Sequence, residues 1–155
     1  MRRPSIQTWL VAAAVALASG GVAAAQVFDG DTFELEGQEV RLFGVDAFEL
    51  SQSCLDRRGE PWRCGVAAKA ALAERVHGQS LSCVTLEEDR DGRYLARCTL
   101  ADGTDVGGYL VENGLALADP DQPDAYAEEQ AFARRSGAGA WAGTFMPPWR
   151  FREFD

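Results

Sequence analysis

Short runs in which apolar and polar residues alternate predict five β-strands, because a strand turns successive side chains to opposite faces. The first predicted strand ends near residue 28, and the other four cover residues 32–35, 40–45, 81–87 and 94–100. Tight turns at residues 29–30 and 36–37 would join the first three strands into a meander. The last two strands would form a hairpin.

Helical patterns follow the third and fifth strands. An alanine-rich run at residues 65–77 predicts a helix that stops at Gly78. Two shorter helices are expected near residues 106–112 and 126–135, the second ending at Gly137. This order of elements favours a mainly β fold with α, a five-stranded OB-fold Greek-key barrel with about three helices, over a sandwich or an alternating parallel sheet.

The first 25 residues have the pattern of an export signal. Arg2 and Arg3 give a positive start, and a short apolar run and small residues follow. Cleavage after Ala18 or after Ala25 satisfies the small-x-small rule, and the earlier cut would let the first strand begin near residue 20. We therefore expect residues 1–25 to be a signal peptide, and residues 26–155 to form a single periplasmic or secreted domain, monomeric and without a membrane span.

The cysteine content agrees with export, since four cysteines in an oxidising compartment predict two disulfides. Cys83 and Cys98 are placed symmetrically about the predicted hairpin turn, so they would face each other across the two strands. The second bridge is then Cys54–Cys64. A zinc site is disfavoured, because no Cys-x-x-Cys motif occurs and the only histidine, His77, lies on a predicted helix.

The net charge is unusual for a protein that binds nucleic acid. The formal charge is −9, whereas such proteins are usually basic, so a nucleic-acid substrate would need a local positive cluster. Nearly all of the positive charge is arginine, with 14 arginines and the single lysine Lys69. Arginine suits bidentate contacts to phosphate, although a GC-rich genome also produces arginine-rich proteins.

Charged residues in three short segments suggest a site for a metal ion and a phosphate group; these residues are Asp31, Arg41, Asp46, Glu49 and Arg93. Two aspartates can neutralise a hard divalent cation, a third carboxylate can take a proton from water, and two guanidiniums can stabilise charge on a phosphoryl group. Each segment also has a plain structural interpretation: residues 29–32 are typical of a hairpin turn, and Arg41 could form a salt bridge.

Together these segments resemble the staphylococcal nuclease-like (thermonuclease) family, in particular its small secreted bacterial members. The resemblance covers residues 26–142 and rests on five segments: residues 29–32, Arg41, and residues 45–49, 89–93 and 110–116. It implies an OB-fold barrel that hydrolyses single-stranded or double-stranded DNA and RNA with Ca²⁺. It also implies that Asp31, Asp46 and the backbone carbonyl of Ala47 bind the Ca²⁺ ion.

The resemblance assigns the catalytic roles to Glu49, which would orient or deprotonate the attacking water, and to Arg41 and Arg93, which would hold the scissile phosphate. Two departures from the family affect this assignment. The family usually has proline where this chain has Phe48, and it often has tyrosine where this chain has Asp91. The first change could move Glu49, and the second places a negative charge near Arg93.

The nucleotide-stacking tyrosines of the family lack clear counterparts here. Residues 115–124 contain no aromatic residue, and only Tyr126 comes close. Two main interpretations therefore stay open: a Ca²⁺-dependent nuclease of low sequence specificity, and a catalytically weak or inactive OB-fold module that binds nucleic acid, oligosaccharide or protein. A structural envelope protein that uses its aromatic tail, residues 141–154, as a contact surface is a third interpretation.

Overall fold

A computed structural model of the protein describes residues 25–89 and 92–155. Residues 1–24 of the predicted signal peptide, and Asp91 in the predicted hairpin turn, lie outside the described residues. The elements within them are, in chain order, β1 (Gln26–Val27), β2 (Thr32–Leu35), β3 (Gln38–Leu42), β4 (Val45–Ala47), β5 (Cys54–Leu55), β6 (Pro61–Trp62), α1 (Cys64–Val76), β7 (Leu81–Glu88), β8 (Tyr94–Leu100), α2 (Val106–Glu112), β9 (Ala116–Ala118), α3 (Ala127–Ser136), a 3₁₀-helix (Gly139–Ala142) and α4 (Pro148–Phe151).

The five predicted strands form one mixed sheet in the order β1-β2-β3-β8-β7. Its neighbours are antiparallel except for β3 and β8, which run parallel. A mixed β and α fold with a five-stranded sheet and three main helices is therefore confirmed. In the part of the chain that the structure describes, the end strands β1 and β7 do not pair, so the sheet is not a closed barrel; β1 contributes only two residues to that edge.

The predicted strand at residues 40–45 is wrong in its extent. Strand β3 ends at Leu42, because the chain turns at Gly44, whose backbone φ of +73° is one that glycine adopts readily. After this turn β4 pairs with β9 and leaves the five-stranded sheet. The turn therefore separates Arg41, on the main sheet, from Asp46, which lies on a small second sheet.

Two hydrophobic cores stabilise the fold. The main core packs the five-stranded sheet against α1 and α2, with Phe33, Leu72 and Leu110 fully buried. A smaller core collects residues that lie far apart in sequence: Phe48, Cys54, Cys64, Leu117 and Ala140, with Trp62, Trp141, Phe145 and Trp149 packed against them. The smaller core is where the C-terminal tail joins the rest of the molecule. The tail also contains the short helix α4, an element that the sequence did not predict.

Both predicted disulfides are present. Cys83 and Cys98 are direct partners in the β7–β8 register and are bonded, and Cys54 is bonded to Cys64. The first bond joins the two strands of a hairpin, and the second joins strand β5 to the start of α1. Among the described residues, the helices are too short or too polar to cross a membrane.

Candidate active site

A hairpin turn places the first carboxylate of the site. The Asp29 side chain accepts hydrogen bonds from the backbone amides of Asp31, at 3.0 Å, and Thr32, at 2.7 Å. This Asx turn joins the antiparallel strands β1 and β2, so the predicted hairpin turn is confirmed. Gly30 is required at the turn, because a Cβ atom there would lie 2.6 Å from the Cβ of Ala47. The turn therefore packs closely against strand β4 and places Asp31 beside it.

Asp31 is a buried carboxylate, only 7% exposed. One of its oxygens accepts the Ala47 amide at 2.8 Å, and the other accepts the Thr32 hydroxyl at 2.9 Å. Burial raises the pKa of Asp31 to about 7, against the opposing effect of the nearby Arg41 guanidinium. A carboxylate in this environment gains from any further positive charge that approaches it. The contact seen at Ala47 is made by its amide, and its carbonyl as a metal ligand stays a prediction.

Arg41 lies between the two aspartates. Its Nε is 3.9 Å from Asp31 Oδ1, and its Nη2 is 3.6 Å from Asp46 Oδ1. The predicted salt bridges are thus present, but both are long. The buried Nε atom has no hydrogen-bond partner among the described residues. A buried guanidinium N–H without a partner is an unusual cost, and a phosphate oxygen would satisfy it.

Glu49 follows strand β4 on a loop that the smaller core holds in place. Phe48, at the position where the family usually has proline, is buried and packs edge-on against Phe145 at 5.4 Å. The Glu49 backbone amide donates to the Gln52 side-chain oxygen at 3.2 Å, and the Gln52 backbone amide donates to the Glu49 backbone carbonyl at 2.8 Å. A Cβ atom at Gly65 would clash with that same carbonyl. Aromatic packing therefore holds the loop that carries Glu49 in place.

Arg93 reaches the site from the start of strand β8. Its Nε donates to Asp89 Oδ2 at 2.7 Å, and its backbone amide donates to the other oxygen of the same carboxylate at 2.9 Å. Glu39 lies 3.9 Å from the guanidinium. Asp89 therefore orients Arg93, a role that the sequence did not assign to it.

Four of the five predicted side chains line one pocket of about 260 Å³, together with a third arginine; the lining residues are Asp29, Gly30, Asp31, Thr32, Arg41, Ala47, Phe48, Glu49, Arg93 and Arg152. Asp46 is the exception. It is buried beneath Arg41 and Arg152 and is 2% exposed. The pocket is polar and holds both signs of charge.

Arg152 is a pocket residue that the sequence analysis did not predict. Its Nη1 donates to Asp46 Oδ1 at 2.8 Å and to Glu49 Oε1 at 2.7 Å, and its Nη2 donates to Asp46 Oδ2 at 2.9 Å. The bonds to Asp46, and then the bond to Glu49, raise the pKa of Arg152 above its usual value. Arg152 is 106 positions from Asp46 and lies in a short aromatic tail without helical or strand periodicity. No sequence pattern could have joined the two.

Three carboxylates near the pocket could serve as ligands for the calcium ion that the resemblance implies. Asp31, Asp46 and Glu49 offer hard oxygen ligands, which suit Ca²⁺ or Mg²⁺, and two of them already converge on the Arg41 guanidinium within 4 Å. Within residues 25–89 and 92–155, however, no group of three or more histidine, cysteine, aspartate and glutamate side chains is arranged to hold a metal ion. The three carboxylates therefore have the chemistry that calcium prefers, but they are not arranged as a metal site here, where Arg152 donates to two of them.

Tyr126 cannot stack on a nucleotide base, because the residue is buried and only 3% exposed. Its hydroxyl donates to Asp105 at 2.9 Å, and the Arg97 guanidinium lies 5.4 Å from the ring centre. Burial, and the negative charge of Asp105, raise the pKa of Tyr126 above its usual value. Tyr126 is thus a core residue. The histidine of the chain, His77, is exposed at the C-terminal end of α1 and does not line the pocket.

Comparison with known proteins identifies a family model and a relative that this chain resembles. The family model described as staphylococcal nuclease homologue matches residues 39–143, which include Arg41, Asp46, Glu49 and Arg93. The succinoglycan biosynthesis protein ExoI of Rhizobium meliloti (strain 1021) is 43% identical over 119 residues, which are 76% of this chain and 62% of the relative. The chain therefore spans less than two thirds of the length of that relative.

Proposed function

Because this chain belongs to the staphylococcal nuclease homologue family, we propose that it is an exported, Ca²⁺-dependent nuclease that hydrolyses phosphodiester bonds of DNA and RNA with low sequence specificity. One observation carries the proposal: Arg41, Arg93, Glu49 and Asp31, which come from three separate segments, line a single pocket. Positive donors for a phosphate, a base for a water and a buried carboxylate for a cation are the parts that this hydrolysis needs.

The two family arginines would bind the scissile phosphate. Arg41 brings a buried Nε donor that lacks a hydrogen-bond partner in the described part of the chain, and Asp89 orients the guanidinium of Arg93. Donors fixed before the substrate arrives stabilise the charge that develops on the phosphoryl oxygens. Each donor of this kind contributes about 10² to 10³ in rate.

Glu49 would accept the proton of the attacking water. Its backbone is held by Gln52 and by the burial of Phe48, so the carboxylate has a defined origin at the pocket wall. General base catalysis by a positioned carboxylate contributes about 10² to 10⁴ in rate. Arg152 donates to one oxygen of the Glu49 carboxylate, which leaves the other oxygen to accept this proton.

Asp31 and Asp46 would hold the calcium ion, with the Ala47 carbonyl as a further ligand. When bound, the ion supplies positive charge for the phosphoryl oxygens and lowers the pKa of a bound water. The buried carboxyl of Asp31, whose pKa burial raises to about 7, gains most from such a charge.

The remaining parts of the proposal rest on general features of the chain. The net charge of −9 favours weak binding of nucleic acid, since the positive cluster is local. Low sequence specificity is expected because Tyr126 is buried and cannot stack on a base. Two disulfides support a periplasmic or secreted location.

Hydrolysis of single-stranded DNA by the oxidised protein, with Ca²⁺ and with excess chelator, tests the proposal. We expect cleavage that chelator abolishes and that Glu49→Gln lowers by about 10² to 10⁴. Glu128→Gln, which changes an exposed glutamate on α3, is the matched control and should cleave like the wild type. Absence of cleavage by folded protein at high enzyme concentration would contradict the proposal.

A binding module without catalysis is the second candidate. It is favoured by the contact of Arg152 with Asp46 and Glu49, and by the similarity to a protein named for succinoglycan biosynthesis. Its ligand would be a nucleic acid, an oligosaccharide or a protein. Retention of single-stranded DNA or of an acidic oligosaccharide by chelated, non-cleaving protein would support this candidate.

A further inference from the structure

Arg152 makes the strongest set of polar contacts in the pocket. One guanidinium holds both oxygens of Asp46 and one oxygen of Glu49, at distances from 2.7 to 2.9 Å. Asp46 is 2% exposed, so these contacts satisfy a carboxylate that water barely reaches. Forked, charge-assisted hydrogen bonds of this kind are among the strongest polar contacts in proteins.

The position of Arg152 is built into the fold. Gln52, which is fully buried, donates to the Met146 carbonyl at 2.6 Å while its oxygen accepts the Glu49 amide. Leu55 and Thr144 exchange two backbone hydrogen bonds, at 2.8 and 3.1 Å. The tail that carries Arg152 is therefore attached to the same loop that carries Glu49.

A neighbouring arginine shows that the contact is specific to Arg152. Arg150 lies on α4, two residues earlier, and pairs with Glu153 at 3.3 Å on the exposed surface. The Arg150 side chain is 58% exposed, whereas the Arg152 side chain is 43% exposed and reaches the buried Asp46. General attraction to the acidic protein would act on both arginines, but the pocket binds only one of them.

On the basis of the proposed function, we propose that Arg152 is an internal competitor of the divalent cation: its guanidinium occupies the carboxylates of Asp46 and Glu49, and calcium must displace it to complete the site. In the form seen here, which we call closed, both oxygens of Asp46 and one oxygen of Glu49 accept hydrogen bonds from Arg152. In the open form, Arg152 has moved away, and both carboxylates can bind the cation and water.

The competition has a measurable consequence for calcium affinity. A ligand that binds only the open form of a site has its apparent affinity lowered by the fraction of molecules that are open. Removing the guanidinium should therefore tighten calcium binding, although it also removes a residue from the active-site wall. A residue that only positioned Asp46 and Glu49 for the metal would have the opposite effect.

Calorimetric titration of the oxidised, metal-free protein with CaCl₂ tests this proposal without any use of activity. We expect Arg152→Gln to bind calcium about tenfold more tightly than the wild type, or tighter still, and Arg152→Lys to lie between the two, since an ammonium lacks the fork. Arg150→Gln is the matched control and should stay within about twofold of the wild type. Circular dichroism and thermal melts establish that each variant is folded.

The outcomes separate this inference from the proposed function. Asp46→Asn should abolish calcium binding in both the wild-type and the Arg152→Gln backgrounds, which places the ion at this site. If Asp46→Asn abolishes binding but Arg152→Gln binds no more tightly than the wild type, or more weakly, competition is wrong and the calcium site stands. If Asp46→Asn leaves calcium binding unchanged, or if no variant binds calcium, both the competition and the calcium-dependent proposal are wrong.

Discussion

The two sides of the pocket are built in different ways. Asp31 and Arg41 lie on a turn and a strand of the five-stranded sheet, above the main core, and their polar partners lie within 16 positions of them along the chain. Glu49 and Arg152 depend on the smaller core, where aromatic residues of the tail pack against the loop after β4. The difference shows that one pocket can combine a side that local sequence determines with a side that forms only when the tail packs against the loop.

Asp31, on the side of the pocket formed by the five-stranded sheet, should have the largest effect on stability. The folded protein binds a proton at Asp31 more strongly than the unfolded chain, because burial raises its pKa from 3.8 to about 7. The folded state therefore holds more protons between these values, and the unfolding free energy of metal-free protein should fall by up to about 4 kcal/mol as pH rises from 4 to 8.

Urea unfolding at several pH values measures this effect. Asp31→Asn should flatten the dependence, and Asp124→Asn, which changes an exposed aspartate, should retain it. Parallel curves for the wild type and Asp31→Asn would show that Asp31 does not carry the burial cost.

The two disulfides offer a direct comparison between the regions. Cys54–Cys64 lies in the smaller core and Cys83–Cys98 in the hairpin. Replacing either pair by alanine should cost about 2 to 4 kcal/mol of unfolding free energy. Only loss of Cys54–Cys64 should also lower the hydrolysis rate, at a temperature where both variants are folded, because it loosens the loop and tail beside Glu49. Equal rates in the two double variants would contradict a special role for the smaller core.

Gln52 tests the connection between the loop and the tail. Gln52→Leu leaves the Met146 carbonyl and the Glu49 amide without their side-chain partner, which should cost about 1 to 3 kcal/mol of unfolding free energy. The same change should lower the hydrolysis rate. Gln79→Leu, an exposed change beyond α1, serves as the control in thermal melts. A stability loss without any change in rate would separate tail docking from the site.

The smallest effect is expected on the outer face of the hairpin. Val84 and Leu86 are 61% and 48% exposed. Replacing either one by threonine should change the unfolding free energy by no more than about 0.5 kcal/mol. A larger loss of unfolding free energy that depends on protein concentration, together with a dimer in analytical ultracentrifugation, would contradict the expected monomer.

Local pattern predicted the elements that local pattern determines. Strand β2, strand β8 and helix α2 have the bounds expected from alternation and helical spacing, and the Cys83–Cys98 bond follows from the symmetry of one hairpin. The predicted strand at 40–45 failed, because the backbone turn at Gly44 outweighs the alternation of its neighbours. Sequence alternation does not report a turn that a single glycine permits.

Long-range pairing accounts for what the sequence did not reveal. Strands β4 and β9 have three residues each and gain their stability from one another across the fold. The five charged residues of the family motif were found by their order along the chain, whereas Arg152 reaches Asp46 only through the docked tail. A contact between positions so far apart has no periodic signal to read.

One measurement tests the central claim, that residues from both regions form a phosphodiester-hydrolysing site. It is a crystal structure of the Glu49→Gln variant with Ca²⁺ and a short single-stranded DNA. We predict a calcium ion on Asp31 and Asp46, a phosphate held by Arg41 and Arg93, and Arg152 withdrawn from Asp46. DNA bound at another surface, with Arg152 still on Asp46, would contradict the account.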